Sequence, residues 1–156
     1  MANLMVLTNI PADAQYVTIA APASTSNGYL YTLGAKASTG IYAATPPTAI
    51  ADMNVVMVAA VCLPYEAETL ENNYTIATGE SVRALVPRVG YEVAIPVANV
   101  TATTAVAAGA FIIIDAATGK PECVASLAGT ESLAFKVTGT FTKAGVAMFN
   151  MRCILA

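Results

Sequence analysis

The chain has 156 residues, about one domain's length, and carries seven basic and ten acidic residues. That is 11% charged, where a soluble domain usually has about 25%, and hydrophobic residues make up 56%. A net charge of −3 without a Lys/Arg cluster argues against nucleic acid as a partner, and the lack of histidine excludes Ser-His-Asp triads, Cys-His pairs and the usual zinc or iron sites.

Residues 1–50 hold two charges, Asp13 and Lys36, among Ala, Thr, Ser, Gly, Pro and Tyr. Turn signals fall at Ala21-Pro22, Asn27-Gly28 and Pro46-Pro47, so the segment reads as an extended, loop-rich arm with one short strand at Gly28–Leu33. No basic residue precedes Lys36, which argues against a secretory signal. Tyr29, Tyr31 and Tyr42 stand out here. Tyrosine offers apolar area with a polar handle, so these three fit either a protein interface or local packing.

Residues 51–63 leave helix and strand open: Ala and Met favour one, and Val55, Val56, Val58 and Val61 the other, with Pro64 ending the element either way. The acidic cluster Glu66, Glu68 and Glu71 follows, as a solvated loop or a partner-binding rim.

From Tyr74 onward the pattern is β. Val82, Ala84 and Val86 alternate with Ser81 and Arg83; Tyr91, Val93, Ile95 and Val97 alternate with Glu92, Ala94 and Pro96. Pro96 predicts an edge strand or a bulge. Ala110–Ile114 reads as a strand buried on both faces, Asp115–Lys120 as a hairpin loop with Gly119 at positive φ. Leu133, Phe135 and Val137 alternate next. In the last strand Ala147, Phe149, Met151, Cys153 and Leu155 share a face opposite Asn150 and Arg152. The uncharged run Val93–Ile114 is long enough to cross a bilayer, but Pro96, Asn99 and Gly109 interrupt it and no basic residues flank it, so no membrane is expected. The expected fold is all-β: a compact β-sandwich or small β-barrel over 51–156, with the N-terminal arm over 1–50.

Catalytic motifs fail one by one. Gly79-Glu80-Ser81-Val82-Arg83 lacks the last glycine of a nucleophile elbow, and Gly119-Lys120-Pro121 lacks the hydroxyl that would hold magnesium in a phosphate loop. Asp115 and Glu122 flank a tight loop without further ligands. Asn73-Tyr74-Thr75 and Asn99-Val100-Thr101 match a glycosylation sequon by composition alone. Cys62, Cys123 and Cys153 are odd in number and widely spaced, which points to buried thiols rather than a disulfide framework. No enzyme, cofactor or metal is expected.

Gly79-Glu80-Ser81-Val82 leading into Arg83-Ala84-Leu85-Val86, the approach Ala107-Ala108-Gly109-Ala110-Phe111, the Asp115…Thr118-Gly119-Lys120 turn and the Gly- and Ala-rich β C-terminus follow in order. Across this half, from Tyr74 to the C-terminus, the chain resembles the head decoration (cement) proteins of tailed bacteriophages. The resemblance implies a β-domain that binds the outside of an icosahedral shell and bridges major capsid subunits. It also implies self-association, most often as a trimer, and a location on the virion surface after synthesis in the host cytoplasm. Another phage shell or tail subunit is the nearest alternative, and a small-ligand or carbohydrate-binding β-domain comes after it.

Overall fold

The computed structural model describes residues 4–60 and 76–156. Cys62, Pro64, the cluster Glu66, Glu68 and Glu71, and the sequon at Asn73 lie outside the described residues.

The chain is all-β. Five strands form a closed barrel: β2 (Tyr16–Ala20), β3 (Leu30–Lys36), β4 (Tyr42–Thr45), β5 (Val55–Val58) and β6 (Ser81–Leu85), in the order β2-β4-β3-β5-β6. The other seven are β1 (Val6–Asn9), β7 (Glu92–Pro96), β8 (Thr101–Ala102), β9 (Phe111–Ile114), β10 (Pro121–Val124), β11 (Ala134–Lys143) and β12 (Val146–Leu155). They form one sheet in the order β1-β7-β12-β11-β9-β10-β8.

The extended arm expected over residues 1–50 is not what the structure shows. Its first strand lies on the sheet edge, with Val6 opposite Ala94, and Tyr16–Thr45 supplies three of the five barrel strands. The physical reason lies in composition: Thr, Tyr, Val and Ile suit a pleated, half-buried surface without any charge, so a charge-poor stretch can be barrel wall. The barrel closes where β2 pairs antiparallel with β6 from Tyr16↔Leu85 to Ala20↔Ser81, and where β2 meets β4 in parallel through Ile19↔Tyr42. Strands from both sides of residue 50 share this barrel.

The ambiguity over residues 51–63 resolves to a strand at Val55–Val58. All four residues are buried, because Val55 and Met57 face the sheet while Val56 and Val58 face the barrel interior. The main core lies between sheet and barrel. Leu30, Val55, Met57 and Leu85 of the barrel wall pack there against Val93, Ile95, Ile112, Ile114, Phe135, Phe149 and Met151 of the sheet. The alternation in the sequence put Tyr91, Val93, Ile95 and Val97, and separately Leu133, Phe135 and Val137, on common faces; both sets border this core.

Pro96 does not mark an edge. Strand β7 lies between β1 and β12, and Pro96 is its last residue, two beyond Ala94, where the pairing with β1 ends among the described residues. A missing N–H costs no ladder bond there. The uncharged run Val93–Ile114 is divided among β7, a 3₁₀ turn at Val97–Asn99, β8 and β9. No helix among the described residues is long and apolar enough to cross a membrane.

Two glycines fix the seating of sheet on barrel. Gly119 has φ +74°, and a Cβ there would stand 2.9 Å from Tyr31 Cε1 and 3.1 Å from the Leu30 carbonyl oxygen. The Leu30 N–H donates to the Gly119 carbonyl at 2.7 Å, so the β9–β10 loop is pinned to β3. Gly28, at φ +88°, approaches Ile95 in the same way, with 2.8 Å from the would-be Cβ to Cγ2.

Candidate interaction surface

Tyr29 and Tyr31 are core residues, not surface residues. They retain 5% and 1% of their surface and line the barrel interior with Ile19, Val56, Val58 and Val82. The lining includes Ala21, Ala44 and Ala84, whose small side chains leave room that the two rings fill. The Tyr31 hydroxyl donates to Thr25 Oγ1 at 2.8 Å. Burial pushes both phenol pKa values up, and for Tyr31 the Thr25 bond opposes that rise. Tyr42 is half-buried, with the Lys36 ammonium 5.4 Å from its ring centroid, and of the three it alone reaches the surface appreciably.

Several carboxylates serve local turns. Asp52 Oδ2 accepts the Thr48 and Ala49 N–H groups at 2.6 and 3.2 Å, and these bonds hold its pKa below the ordinary aspartate value. Glu131 accepts the Ala128 and Gly129 N–H groups at 2.6 and 2.8 Å and is lowered for the same reason. Glu80 accepts from the Ala77 N–H at 2.9 Å. Asp115 does not join Glu122: its Oδ2 accepts from the Thr118 and Thr101 hydroxyls at 2.6 and 3.2 Å. Across the hairpin Glu122 stands opposite Ile113. Ser81 is an exposed strand residue. Asn99, the second sequon asparagine, is 1% exposed and donates Nδ2 to the Asn27 carbonyl at 3.2 Å, which removes it from any glycosylation machinery. Among the described residues no group of three His, Cys, Asp or Glu side chains is placed to hold a metal ion.

What the structure does gather is apolar. The Gly90 N–H donates to the Cys153 carbonyl at 2.9 Å and the Cys153 N–H to the Tyr91 carbonyl at 2.8 Å, which brings Val89 alongside the Ile154–Ala156 tail. On the other flank the loop before β5 is held by the Asp52 cap and by Ser132, whose N–H donates to the Ile50 carbonyl at 3.0 Å and whose hydroxyl donates to the Asp52 carbonyl. This leaves Met53 standing 76% exposed, while Val89 is 63% and Leu155 40% exposed. Between the flanks lies a cleft of about 260 Å³ at the seam of barrel and sheet, where Met53, Val55 and Leu133 share the lining with the polar residues Asp52, Asn54 and Ser132.

The sequence reading missed this end. Met53 and Val89 lie in turns, where no periodicity marks a face. One signal was present: Ile154 breaks the alternation of the last strand, because the position after Cys153 should be polar like Asn150 and Arg152. Compared with known proteins, the chain matches no family model and no curated sequence.

Proposed function

We propose that this chain is a non-enzymatic structural subunit of a phage virion, which binds the outer surface of the icosahedral shell and stabilises it by bridging major capsid subunits. The observation that carries the reading is the exposure of Met53, Val89, Ile154 and Leu155, with Leu7 on β1, on a chain so poor in charge. Large apolar side chains left in water fit a surface that another protein covers. The cleft beside them, at about 260 Å³, is smaller than most small-ligand pockets and suits one or two side chains of a partner. That consideration favours a protein partner over a free sugar or metabolite. The identity of the partner rests on the resemblance of residues 74–156 to decoration proteins.

The mechanism is binding energy. A subunit that binds the expanded shell and not the free capsid protein favours the expanded shell by mass action, and self-association would multiply the contacts of each copy. The test is co-sedimentation of the purified protein with expanded shells of its own phage, with heat release of packaged DNA as the second readout. Saturable binding and a higher release temperature are expected, and Met53→Lys with Leu155→Lys should abolish both. Absence of binding to expanded shells overturns the reading. Growth of tubes or shells by the protein alone would favour a tail or shell subunit instead.

A further inference from the structure

Among the described residues, the outer half of the β11–β12 hairpin carries a strand edge without a partner. Strand β11 is ten residues long, but its pairing on the β9 side ends at Val137, whose N–H donates to the Ala110 carbonyl at 2.8 Å and whose carbonyl accepts the Gly109 N–H at 2.9 Å. Beyond it, Thr138–Lys143 pairs only with β12 among the described residues. Of these six residues Lys143 alone is charged, and it stands at the tip; no proline blocks the edge. Natural sheets usually guard an edge of this kind.

The parity of the hairpin fixes which groups are free. Ala144 and Gly145 form the two-residue turn, both at positive φ (51° and 78°), so Lys143 and Val146 close it as a hydrogen-bonded pair. By alternation, Phe141 and Gly139 direct their N–H and C=O groups toward β12, while those of Thr140 and Thr142 point outward. The irregularity between Val137 and Gly139 restores the outward direction at Val137, in agreement with its bonds to Gly109 and Ala110.

We infer that this edge is the pairing surface for a second copy of the chain, joined antiparallel about a two-fold axis through Phe141. In that register Thr140 of each copy faces Thr142 of the other, and the four outward N–H groups meet the four outward carbonyls. Phe141 then faces its own counterpart in a non-hydrogen-bonded pair, where side chains approach closest. Lys143 faces Gly139, which offers no side chain to clash. The two copies of Lys143 stand about 14 Å apart, four residues along the strand, so like charges do not meet. The turn of one copy falls next to Ala107-Ala108-Gly109 of the other, a stretch of exposed small residues.

Two features make a second copy the fitting occupant. The edge is self-complementary in both backbone and side chains, as a two-fold contact requires. In addition, Phe141 sits half-buried at the margin of the cluster formed by Leu4, Ala94 and Met148 on the outer face of the sheet. Pairing through Phe141 would merge the two clusters into one apolar strip across the axis. An edge of six residues covers well under the roughly 1,000 Å² of a stable complex, so the dimer is concentration-dependent. The pairing does not rest on the capsid reading, and its test uses no shell.

Sedimentation velocity of the full chain from about 10 µM to about 1 mM should show a dimer fraction that rises with concentration. Thr140→Pro removes an outward N–H without touching the bonds to β12, and should weaken dimerisation about tenfold or more through the two hydrogen bonds lost per pair. If Thr140→Pro loses its β circular dichroism, Thr140→Lys at the same exposed position gives the same decision. In a Cys62→Ser background, Phe141→Cys should oxidise to a disulfide-linked dimer, since facing Cα atoms near 4.5 Å are within disulfide reach. Lys143→Cys, displaced from its counterpart, should not. A strictly monomeric protein at about 1 mM, an unchanged dimer in both Thr140 variants, or equal cross-linking at 141 and 143 overturns the inference.

Discussion

On the sheet side of the main core, Val93, Ile95, Ile112, Ile114, Phe135, Phe149 and Met151 present hydrocarbon, with Cys123 and Cys153 as the polar exceptions. The barrel interior is a mixture: alanines and valines surround two tyrosines, and its end is built on the buried polar residues Thr25, Ser26, Asn27 and Asn99. Asn27 acts there as a piece of backbone. Its Oδ1 accepts the Ala60 N–H at 2.7 Å and its Nδ2 donates to the Ala60 carbonyl at 3.2 Å, and the neighbouring Thr25 bridges to Ile76. A dry core loses stability through volume, whereas a core of this second kind loses it through unsatisfied partners. The two halves should therefore fail under different substitutions.

The largest effect is expected in the sheet. Phe135→Ala removes a ring that is 2% exposed between β9 and β12 and should cost about 3–5 kcal/mol in urea unfolding, enough to unfold many domains of this size. Next is Asn27→Ala in the barrel. It creates little cavity, yet leaves both backbone groups of Ala60 without their partner, and should cost about 2–3 kcal/mol. If Asn27→Asp, which keeps the acceptor and loses the donor, were as stable as wild type, the account of Asn27 as a backbone surrogate would be wrong.

How much of this was legible in the sequence differs between the halves. From Ser81 onward most strands alternate, with the continuous run Phe111–Ile114 and Ile154 as exceptions, so Val93, Phe135, Phe149 and Met151 each stand on an apolar face that is legible before any strand is paired. In the first half the barrel strands are short and rich in Thr, Ala and Tyr. Tyr29, Tyr31 and Leu33 do recur at period two, but Leu30 beside them is just as buried, so the local pattern marks no single core face. Their burial depends on ring closure between β2 and β6, which are 60 residues apart and which no local pattern announces. The apolar end was hidden for the same reason: Met53, Val89 and Ile154 come from three separate segments. Chain closure, not propensity, brings them together.

The thiols of the sheet core give the next test. Cys123, Ile112, Phe135 and Cys153 lie in one row across β10, β9, β11 and β12, two residues between the sulfurs, so the pair remains reduced. Burial pushes Cys153 up to about 11 and raises Cys123 in the same direction. An unfolded thiol releases its proton near 8.5, so above that pH the unfolded chain binds fewer protons than the folded one. Stability should hold up to about pH 8.5 and decline toward 11, the range over which the unfolded thiol is ionised and the folded Cys153 is not. Cys153→Ala should make that alkaline decline shallower, Cys123, Tyr29 and Tyr31 supplying the remainder, while the acid limb, set by Asp52 and Glu131 with lowered pKa values, stays as steep as in wild type.

The smallest effects come from two adjacent hydroxyls on β3 and should carry opposite signs. Tyr31 points into the barrel and donates to Thr25, which is fully buried; Tyr31→Phe keeps the ring and strands the Thr25 hydroxyl, at a cost of about 1–2 kcal/mol. Thr32 faces the other way, on the side of Leu30, and its buried Oγ1 has no hydrogen-bond partner among the described residues. Thr32→Val preserves the branched shape, suits a strand and removes an unsatisfied oxygen, so it should stabilise by about 1 kcal/mol. Urea midpoints that move apart for these neighbours would show that hydrogen-bond satisfaction, rather than polarity as such, governs the barrel. If both variants shift the same way, the contrast between a dry sheet core and a hydrogen-bonded barrel loses its basis at the strand they share.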